Sequence, residues 1–251
     1  HAHRCHRVHH RTRRSHRARA VENLNTMNTT PVASTTLNAD LTQRCVIHSP
    51  SLDWVDSPAS GVSRRLLERD GGEVARATSI VRYAPGSAFA AHTHGGGEEI
   101  LVLEGTLRDE HGVYGPGTYI KNPVGTSHAP SSPDGCTLFV KLRHLDPRDD
   151  ERVVIDTRLS AWHQGMVDGL QVLPLGTFES QNTALVRWAP QTFFNPHRHW
   201  GGEEILVLEG VFSDEHGDYP AGSWLRSPHM SQHQPFSREG CLILVKTGHL
   251  V

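Results

Sequence analysis

The sequence predicts an all-β protein built from two tandem β-barrels. Strand-sized apolar segments recur roughly every 8–12 residues and are separated by glycine and proline, a pattern typical of small barrels and sandwiches. The chain also repeats itself: residues 81–142 align without a gap on residues 186–247, and about half of these 62 positions are identical. No segment shows a helical period. The duplication therefore predicts two copies of one barrel.

The chain divides into a leading segment and two barrel domains. We expect residues 1–43 to be a disordered tail and lead-in, residues 44–148 to form the first barrel and residues 149–251 the second. The first 26 residues hold six histidines, seven arginines and one acid, a net charge of +6, and too few apolar residues for a core. This tail either scavenges metal or binds nucleic acid, or it is not native sequence, since an ordinary leader opens at Met27.

Composition argues against several classes of protein. The remainder of the chain carries 18 basic and 26 acidic residues, a net charge of −8, which disfavours nucleic-acid binding by the folded part. No run of 18 apolar residues predicts a membrane span, and the absence of a signal-peptide pattern favours a cytoplasmic location. The cysteines lack disulfide-scaffold spacing, and Cys136 and Cys241, which occupy equivalent places, are expected to be buried free thiols. Neither a phosphate-binding loop nor a nucleophilic triad is present.

Metal ligands are predicted where the two copies are most alike. His92 and His94 lie two residues apart in an extended segment, so their side chains share one face. Glycines then let the chain turn back, which brings Glu98 to face them from the next strand. The duplicated Gly-x5-Pro-x4-His spacing adds a third histidine to each copy. The predicted ligands are His92, His94, Glu98 and His128 in the first barrel, and His197, His199, Glu203 and His233 in the second.

These ligand sets suit a divalent transition metal, with about two ions per chain. Three imidazoles and one carboxylate accept zinc or iron foremost, and also manganese, nickel or copper, so the ligands do not separate these metals. Four protein ligands complete a tetrahedral zinc site but leave two open positions on an octahedral iron. The first arrangement is structural and the second is catalytic.

Both copies carry a family resemblance. The first copy resembles the two motifs of the cupin superfamily in the spacing Gly86-x5-His92-x-His94-x3-Glu98-x6-Gly105 and Gly117-x5-Pro123-x-Gly125-x2-His128. The second copy has Gln191 and Met230 where the motif has glycine, and we expect these residues to reshape the turns around its site.

A narrower resemblance lies in residues 203–222, which are similar to the cupin domain of ChrR-type anti-sigma factors. The resemblance covers nearly all of residues 45–250 and implies a bicupin of two jelly-roll-like barrels with one metal each. Residues 1–44 do not look like the N-terminal helical zinc domain through which those factors bind a sigma factor, so the resemblance does not imply sigma binding.

Two functions remain open at this point. The first is a metal-dependent dioxygenase of the non-haem iron type, acting on a small oxygen-bearing, diketone-like substrate. The alternative is a non-enzymatic, zinc-loaded sensor or regulatory protein that responds to an oxidant or a small ligand, with Cys136 or Cys241 contributing. Either function implies a small-molecule partner, and exposed sheet edges favour a homodimer.

Three features beside the ligands have simpler interpretations. Glu99 and Glu204 should point to the opposite strand face, as exposed or cross-strand-paired carboxylates. The repeated segments 109–112 and 214–217 are predicted to be hairpin turns. His229 is expected at the rim of the second site.

Overall fold

The all-β fold is confirmed in residues 35–251, the part of the chain that this computed structural model describes. Of the disordered tail and lead-in expected over residues 1–43, residues 1–34 lie outside the described residues. Residues 35–37 form a strand that pairs with residues 69–71, so the expected disorder does not extend to them. The strands up to the end of the first copy are β1 (Thr35–Leu37), β2 (Cys45–His48), β3 (Val55–Asp56), β4 (Val62–Gly71), β5 (Ala75–Tyr83), β6 (Ser87–Ala88), β7 (His92–Thr93), β8 (Glu98–Gly105), β9 (Leu107–Asp109), β10 (Gly112–Tyr114), β11 (Thr118–Asn122), β12 (Ser127–His128), β13 (Ser131–Ser132) and β14 (Cys136–Leu142).

The second copy follows with β15 (Val153–Asp156), β16 (His163–Gln164), β17 (Leu170–Phe178), β18 (Gln181–Trp188), β19 (Thr192–Phe193), β20 (His197–Arg198), β21 (Glu203–Asp214), β22 (Gly217–Pro220), β23 (Ser223–Ser227), β24 (Gln232–His233), β25 (Phe236–Ser237) and β26 (Cys241–Thr247). One short 3-10 turn, Ser49–Ser51, is the sole helical element among residues 35–251. No helix in that range has the length and apolar character that crossing a lipid bilayer requires.

Each barrel is formed by antiparallel sheets. In the first barrel a large sheet runs in the order β1-β4-β5-β14-β8-β11-β15, with β3 beside β4, and a smaller sheet runs β10-β9-β13-β6. The second barrel has the order β16-β17-β18-β26-β21-β23-β2 in its large sheet. In each barrel a separate two-stranded ribbon, β7 with β12 or β20 with β24, carries two of the predicted metal ligands.

The leading strand of each copy lies in the sheet of the other copy. Strand β2 pairs with β23, so that Cys45 lies opposite Arg226 and His48 opposite Ser223. Strand β15 pairs in the same way with β11, where Asp156 lies opposite Thr118. We call this arrangement the strand exchange. The two barrels are therefore joined by two crossing strands as well as by the linker.

Three apolar clusters follow from the alternation of side chains along the strands. One fills the first barrel and includes Ile100, and one fills the second and includes Ile205. The third cluster lies between the two large sheets. It contains Leu101 and Leu206, which directly follow Ile100 and Ile205 and point to the opposite strand face, and the fully buried Trp224. Both faces of β8 and of β21 are therefore buried.

Glu99 and Glu204 also lie between the two large sheets and are buried. Of the two alternatives expected for them, the exposed carboxylate is therefore wrong, and both carboxylates are paired. Lys141 of the first copy places Nζ 2.8 Å from Glu204 Oε2, and Lys246 of the second places Nζ 3.1 Å from Glu99 Oε2. Each lysine lies opposite the glutamate of its own barrel in the strand register but pairs with the glutamate of the other barrel.

Neutral donors complete this inter-barrel polar cluster. The hydroxyl of Tyr119 donates to Glu99, and Nε2 of His144 donates to the same carboxylate at 2.5 Å. Glu204 accepts from Nε1 of Trp224 and from Nε2 of His249, both at 2.9 Å. Burial alone would raise the pKa of each glutamate, but the paired lysine and histidine hold the pKa far below its usual range. Both carboxylates are therefore charged in the folded protein.

Candidate metal centres

Four predicted ligands converge in the first barrel. One ligand atom each from His92, His94, Glu98 and His128 lies within 4.8 Å of all the others. The β7–β12 ribbon sets His92 directly opposite His128. Glu98 is the first residue of β8, and the tight turn before it requires Gly97, whose φ is +74° and where a Cβ would come within 2.5 Å of the Leu145 side chain. We call this group centre 1.

Each histidine of centre 1 is anchored through Nδ1. Nδ1 of His92 lies 3.0 Å from the carbonyl oxygen of Ala90, Nδ1 of His94 lies 3.0 Å from Oγ1 of Thr126, and Nδ1 of His128 lies 3.2 Å from Oδ2 of Asp109. These contacts aim each Nε2 at the centre, as hydrogen bonds to the far ring nitrogen do for metal-binding histidines.

The buried Nε2 atoms of centre 1 provide a test of whether a metal fits. Nε2 of His94 lies 3.0 Å from Glu98 Oε2, and Nε2 of His128 lies 3.5 Å from the same oxygen. Neither nitrogen makes a hydrogen bond, although both are buried. Leaving buried nitrogens unpaired is unfavourable, whereas lone pairs directed at one point with a carboxylate beside them satisfy a cation. The residues of centre 1 therefore fit a divalent transition metal.

Electrostatics at centre 1 favour the ligand forms of its side chains. Burial alone would raise the pKa of Glu98, but the neighbouring imidazoles of His94 and His128 and the amide of Asn122 lower it below the usual range. Burial lowers the pKa of His128, although Glu98 and Asp109 partly oppose this effect. A charged carboxylate beside neutral imidazoles is the donor set that a metal requires.

The second barrel brings together three of its four predicted ligands. Ligand atoms of His197, His199 and His233 lie within 4.8 Å of one another, and we call this group centre 2. Nε2 of His199 and Nε2 of His233 are 2.9 Å apart, close to the separation of roughly 3 Å expected for two nitrogens bound at about 2.1 Å to one ion. Glu203 adjoins the group, with oxygens 3.4 Å from Nε2 of His199 and 3.5 Å from Nε2 of His233.

Glu203 is held less firmly than Glu98. Asn122 Nδ2 donates to Glu98 Oε2 at 3.0 Å, whereas the equivalent position on β23 is Ser227. Among residues 35–251 no donor makes a hydrogen bond to the side-chain carboxylate of Glu203. Burial raises the pKa of Glu203 to about 7, and the charge of His233 offsets this only in part. The two centres are therefore unequal in how their carboxylates are held.

The turns of the second barrel keep their shape despite two substitutions in the motif. Gln191 and Met230 adopt φ values of +61° and +63°, in the same left-handed region as Gly86 and Gly125 at +80° and +86°. The expectation that these residues reshape the turns is therefore wrong. A residue with a Cβ is strained in this region, so the substitutions introduce strain while the backbone path is kept.

Sequence reasoning missed the carboxylates behind the centres. Asp109 and Asp214 form the expected hairpin turns by accepting from backbone amides, and each also faces Nδ1 of a ligand histidine, His128 at 3.2 Å or His233 at 3.5 Å. Their presence at the same position in both copies could have revealed this contact, because a hairpin turn by itself does not require an aspartate there. Their role is to orient the third histidine of each set.

The strand exchange supplies an arginine to each of these carboxylates through a tyrosine. Arg152, just before β15, donates to the hydroxyl of Tyr114 at 3.1 Å, and that hydroxyl donates to Asp109 at 2.9 Å. In the second barrel Arg44, just before β2, donates to Tyr219 at 2.6 Å, and Tyr219 donates to Asp214 at 2.8 Å. Each copy thus contributes one residue to the surroundings of the other copy's centre.

Two other sequence expectations concern His229 and the two cysteines. His229 accepts a hydrogen bond from the amide of Gly201 at 2.9 Å and lies outside the ligand group, as a rim residue would. Cys136 and Cys241 are buried free thiols, as expected. Burial raises the pKa of both and brings that of Cys241 to about 11, which disfavours the reactive thiolate.

Comparison with solved structures places the two barrels in a known class. A proposed dioxygenase from Nostoc punctiforme matches with a TM-score of 0.71 at 15% identity, covering 85% of this chain and 86% of that one. The YlbA protein from E. coli matches with a TM-score of 0.65 at 14% identity, covering 86% and 95%. Oxalate decarboxylase from Lactobacillus farciminis matches with a TM-score of 0.58 at 12% identity, covering 88% and 89%. At these identities the likeness concerns the fold.

The fold and the paired histidine centres define a bicupin with two candidate metal sites. Residues 42–146 and 150–251 each match the family described as the ChrR Cupin-like domain, and the chain belongs to that family. No sequence among curated proteins matches this chain.

Proposed function

We propose that this bicupin is a metal-dependent oxygenase in which centre 1 holds a divalent transition metal, with iron as the working ion. One observation carries the proposal: four ligand atoms converge within 4.8 Å, and the two buried Nε2 nitrogens among them lack hydrogen bonds. Three imidazoles and one carboxylate leave two open positions on a six-coordinate ion, which is the requirement for holding a reactant. The shared fold with a proposed dioxygenase is consistent with this function.

The ligands, Asp109 and the barrel interior would each have a separate role at centre 1. His92, His94, Glu98 and His128 hold the ion, which supplies Lewis-acid and redox chemistry when bound. Asp109 keeps the Nδ1 proton of His128 in place, so Nε2 stays available as a donor to the ion. The apolar barrel interior around Ile100 and Leu138 excludes water from one side of the centre. A small oxygen-bearing molecule of the diketone type is the substrate class that we propose.

Metal content and oxygen consumption test this proposal together. Full-length protein purified anaerobically without chelators should contain iron, and it should consume oxygen when small diketones are added. His94→Ala should abolish both iron binding at centre 1 and oxygen uptake, whereas His111→Ala, which replaces an imidazole about half exposed on the surface, should leave both unchanged. Tightly bound zinc without oxygen uptake would overturn the oxygenase.

A zinc-loaded sensor is the second candidate, and the family favours it because its description refers to ChrR. Four protein ligands complete a tetrahedral zinc site without an open position. A role for Cys136 or Cys241 as the oxidant-responsive group is disfavoured, because both thiols are buried with raised pKa values. Two equivalents of zinc per chain, together with reversible loss of zinc on treatment with peroxide, would establish this candidate.

A further inference from the structure

The two barrels differ at one position that joins the metal ligand to the exchanged strand. In the first barrel the side chain of Asn122 is a bridge: Nδ2 donates to Glu98 Oε2 at 3.0 Å, and Oδ1 accepts from Nε of Arg152 at 3.2 Å. Asn122 is buried, with 3% of its surface exposed. One carboxamide thus connects the carboxylate of centre 1 to an arginine contributed by the second copy.

The second barrel has counterparts of the arginine and the glutamate that Asn122 connects, but it has no counterpart of Asn122. Arg44 corresponds to Arg152, since each directly precedes its exchanged strand, and Glu203 corresponds to Glu98. Ser227 takes the place of Asn122, opposite Glu203 in the strand register. The side chain of serine has two fewer heavy atoms than that of asparagine. Within residues 35–251 no single side chain makes hydrogen bonds to both Arg44 and Glu203.

A cavity lies beside Ser227, in the barrel that lacks the carboxamide. Its volume is about 180 Å³, and its lining includes Arg44, Ser227, His233, Asp214 and Ser231. One water occupies about 30 Å³ of liquid, so the space suits several waters or one small organic molecule. The buried hydroxyl of Ser231 has no hydrogen-bond partner, and Glu203 lies directly opposite Ser227 in the strand register. The cavity is therefore a space of molecular size lined by polar groups, one of which has no partner.

We propose that this cavity is a ligand site for a small uncharged molecule that carries a carboxamide-type pair of acceptor and donor. The acceptor oxygen would face the guanidinium of Arg44, and the donor N–H would face Glu203, as the two ends of the Asn122 side chain do in the first barrel. Charge selects a neutral ligand, because Arg44 repels a cation while the carboxylate of Asp214 repels an anion. The ligand would thereby steady the carboxylate of Glu203.

Acetamide is the probe that tests this site, since it has the functional group and the size of the asparagine side chain. Saturable binding is measured by ligand-observed NMR on metal-free full-length protein at pH 8. Wild type should bind one acetamide per chain. Ser227→Asn fills the site with its own carboxamide and should abolish binding, whereas Ser51→Asn, at an exposed serine of the 3-10 turn, should leave binding unchanged.

Asn122→Ser is the reciprocal variant, because it removes the bridging carboxamide from the first barrel, and it should raise the stoichiometry to two. This variant decides the outcome if Ser227→Asn does not fold. Acetate, which has the same size but a negative charge, should bind at least about tenfold more weakly than acetamide. The proposal is overturned if wild type shows no saturable acetamide binding, if Ser227→Asn binds as well as wild type, or if acetate binds equally well. None of these results would affect the metal-centre proposal, because the protein is metal-free.

Discussion

The inter-barrel polar cluster makes a quantitative prediction about Lys141. Its ammonium lies 2.8 Å from Glu204 across the interface, and both side chains are about 95% buried. Lys141→Met keeps the aliphatic stem and removes the charge, so Glu204 stays buried without its cation. Breaking a buried ion pair from one side destabilises a protein by about 3–5 kcal/mol. Since the free energy of unfolding of native proteins is about 5–15 kcal/mol, this loss should be readily measurable.

Urea unfolding in EDTA measures the effect without any contribution from metal binding. Trp224 is a suitable fluorescence probe, because its indole donates to Glu204 and is fully buried. The matched control is Arg148→Met, at a surface arginine that is 66% exposed and paired with Asp146 and Glu179. Its loss should leave the free energy of unfolding nearly unchanged, because exposed ion pairs contribute little to stability.

A double-mutant cycle with Glu204→Gln separates the ion pair from general damage to packing. With the carboxylate neutral, loss of the ammonium leaves no buried charge, so the double variant should be more stable than the sum of the single effects by about 2 kcal/mol. A Lys141→Met variant within about 1 kcal/mol of wild type, or strictly additive variants, would show that the two barrels do not depend on this pair.

Three further predictions concern the centres and the pH dependence of stability. His94→Ala and His199→Ala should each remove about one metal ion per chain by elemental analysis; an unchanged count in either variant would reject that centre. Asp109→Asn should weaken metal binding at centre 1 about 10–100-fold in a competition titration while the melting temperature of the metal-free protein changes little, because the residue orients His128 and does not bind the ion. Burial lowers the pKa of His144 to about 4 against an unfolded value of about 6.5, so the unfolded state takes up its proton first and stability should fall as the pH drops from about 6.5 towards 4.

Two results would contradict the predictions for Asp109 and His144. Wild-type affinity in Asp109→Asn would mean that the turn, and not the histidine contact, is its whole role. For the pH dependence, His144→Gln removes the titrating group and should flatten the decline in the urea midpoint between pH 6.5 and 4. An equally steep decline in this variant would assign the acid sensitivity to other groups.

The sequence was sufficient for the features that depend on local spacing and on the repeat. Period-two alternation with glycine turns predicted the strands, and following the repeat found His128 and His233, which no short motif around His92 contains. The turn at residues 109–112 was also predicted correctly. Each of these features is determined within one copy.

The features that escaped prediction arise between the copies. Residues 45–48 and 153–156 were each assigned to the barrel of their own copy, but their alternation carries no information about which of two similar sheet edges they join. Glu99 was expected to be either exposed or paired across strands of its own barrel, because β8 was treated as part of one barrel, whereas the second barrel covers that face. The bridging role of Asn122 was missed because Ser227 breaks the repetition that guided the search.

The strand exchange has a consequence for how the chain folds during synthesis. His48 of β2 pairs with Ser223 of β23, which the ribosome makes 175 residues later. At about 5–20 residues per second, β2 therefore waits roughly 10 to 35 s for its partner strand. The first barrel receives β15 at its β11 edge much earlier, because residues 153–156 follow shortly after the first copy. During the wait β2 is therefore an unpaired strand attached to a barrel whose own large sheet is already complete. The second barrel thus closes last, on a strand that was made before the first barrel.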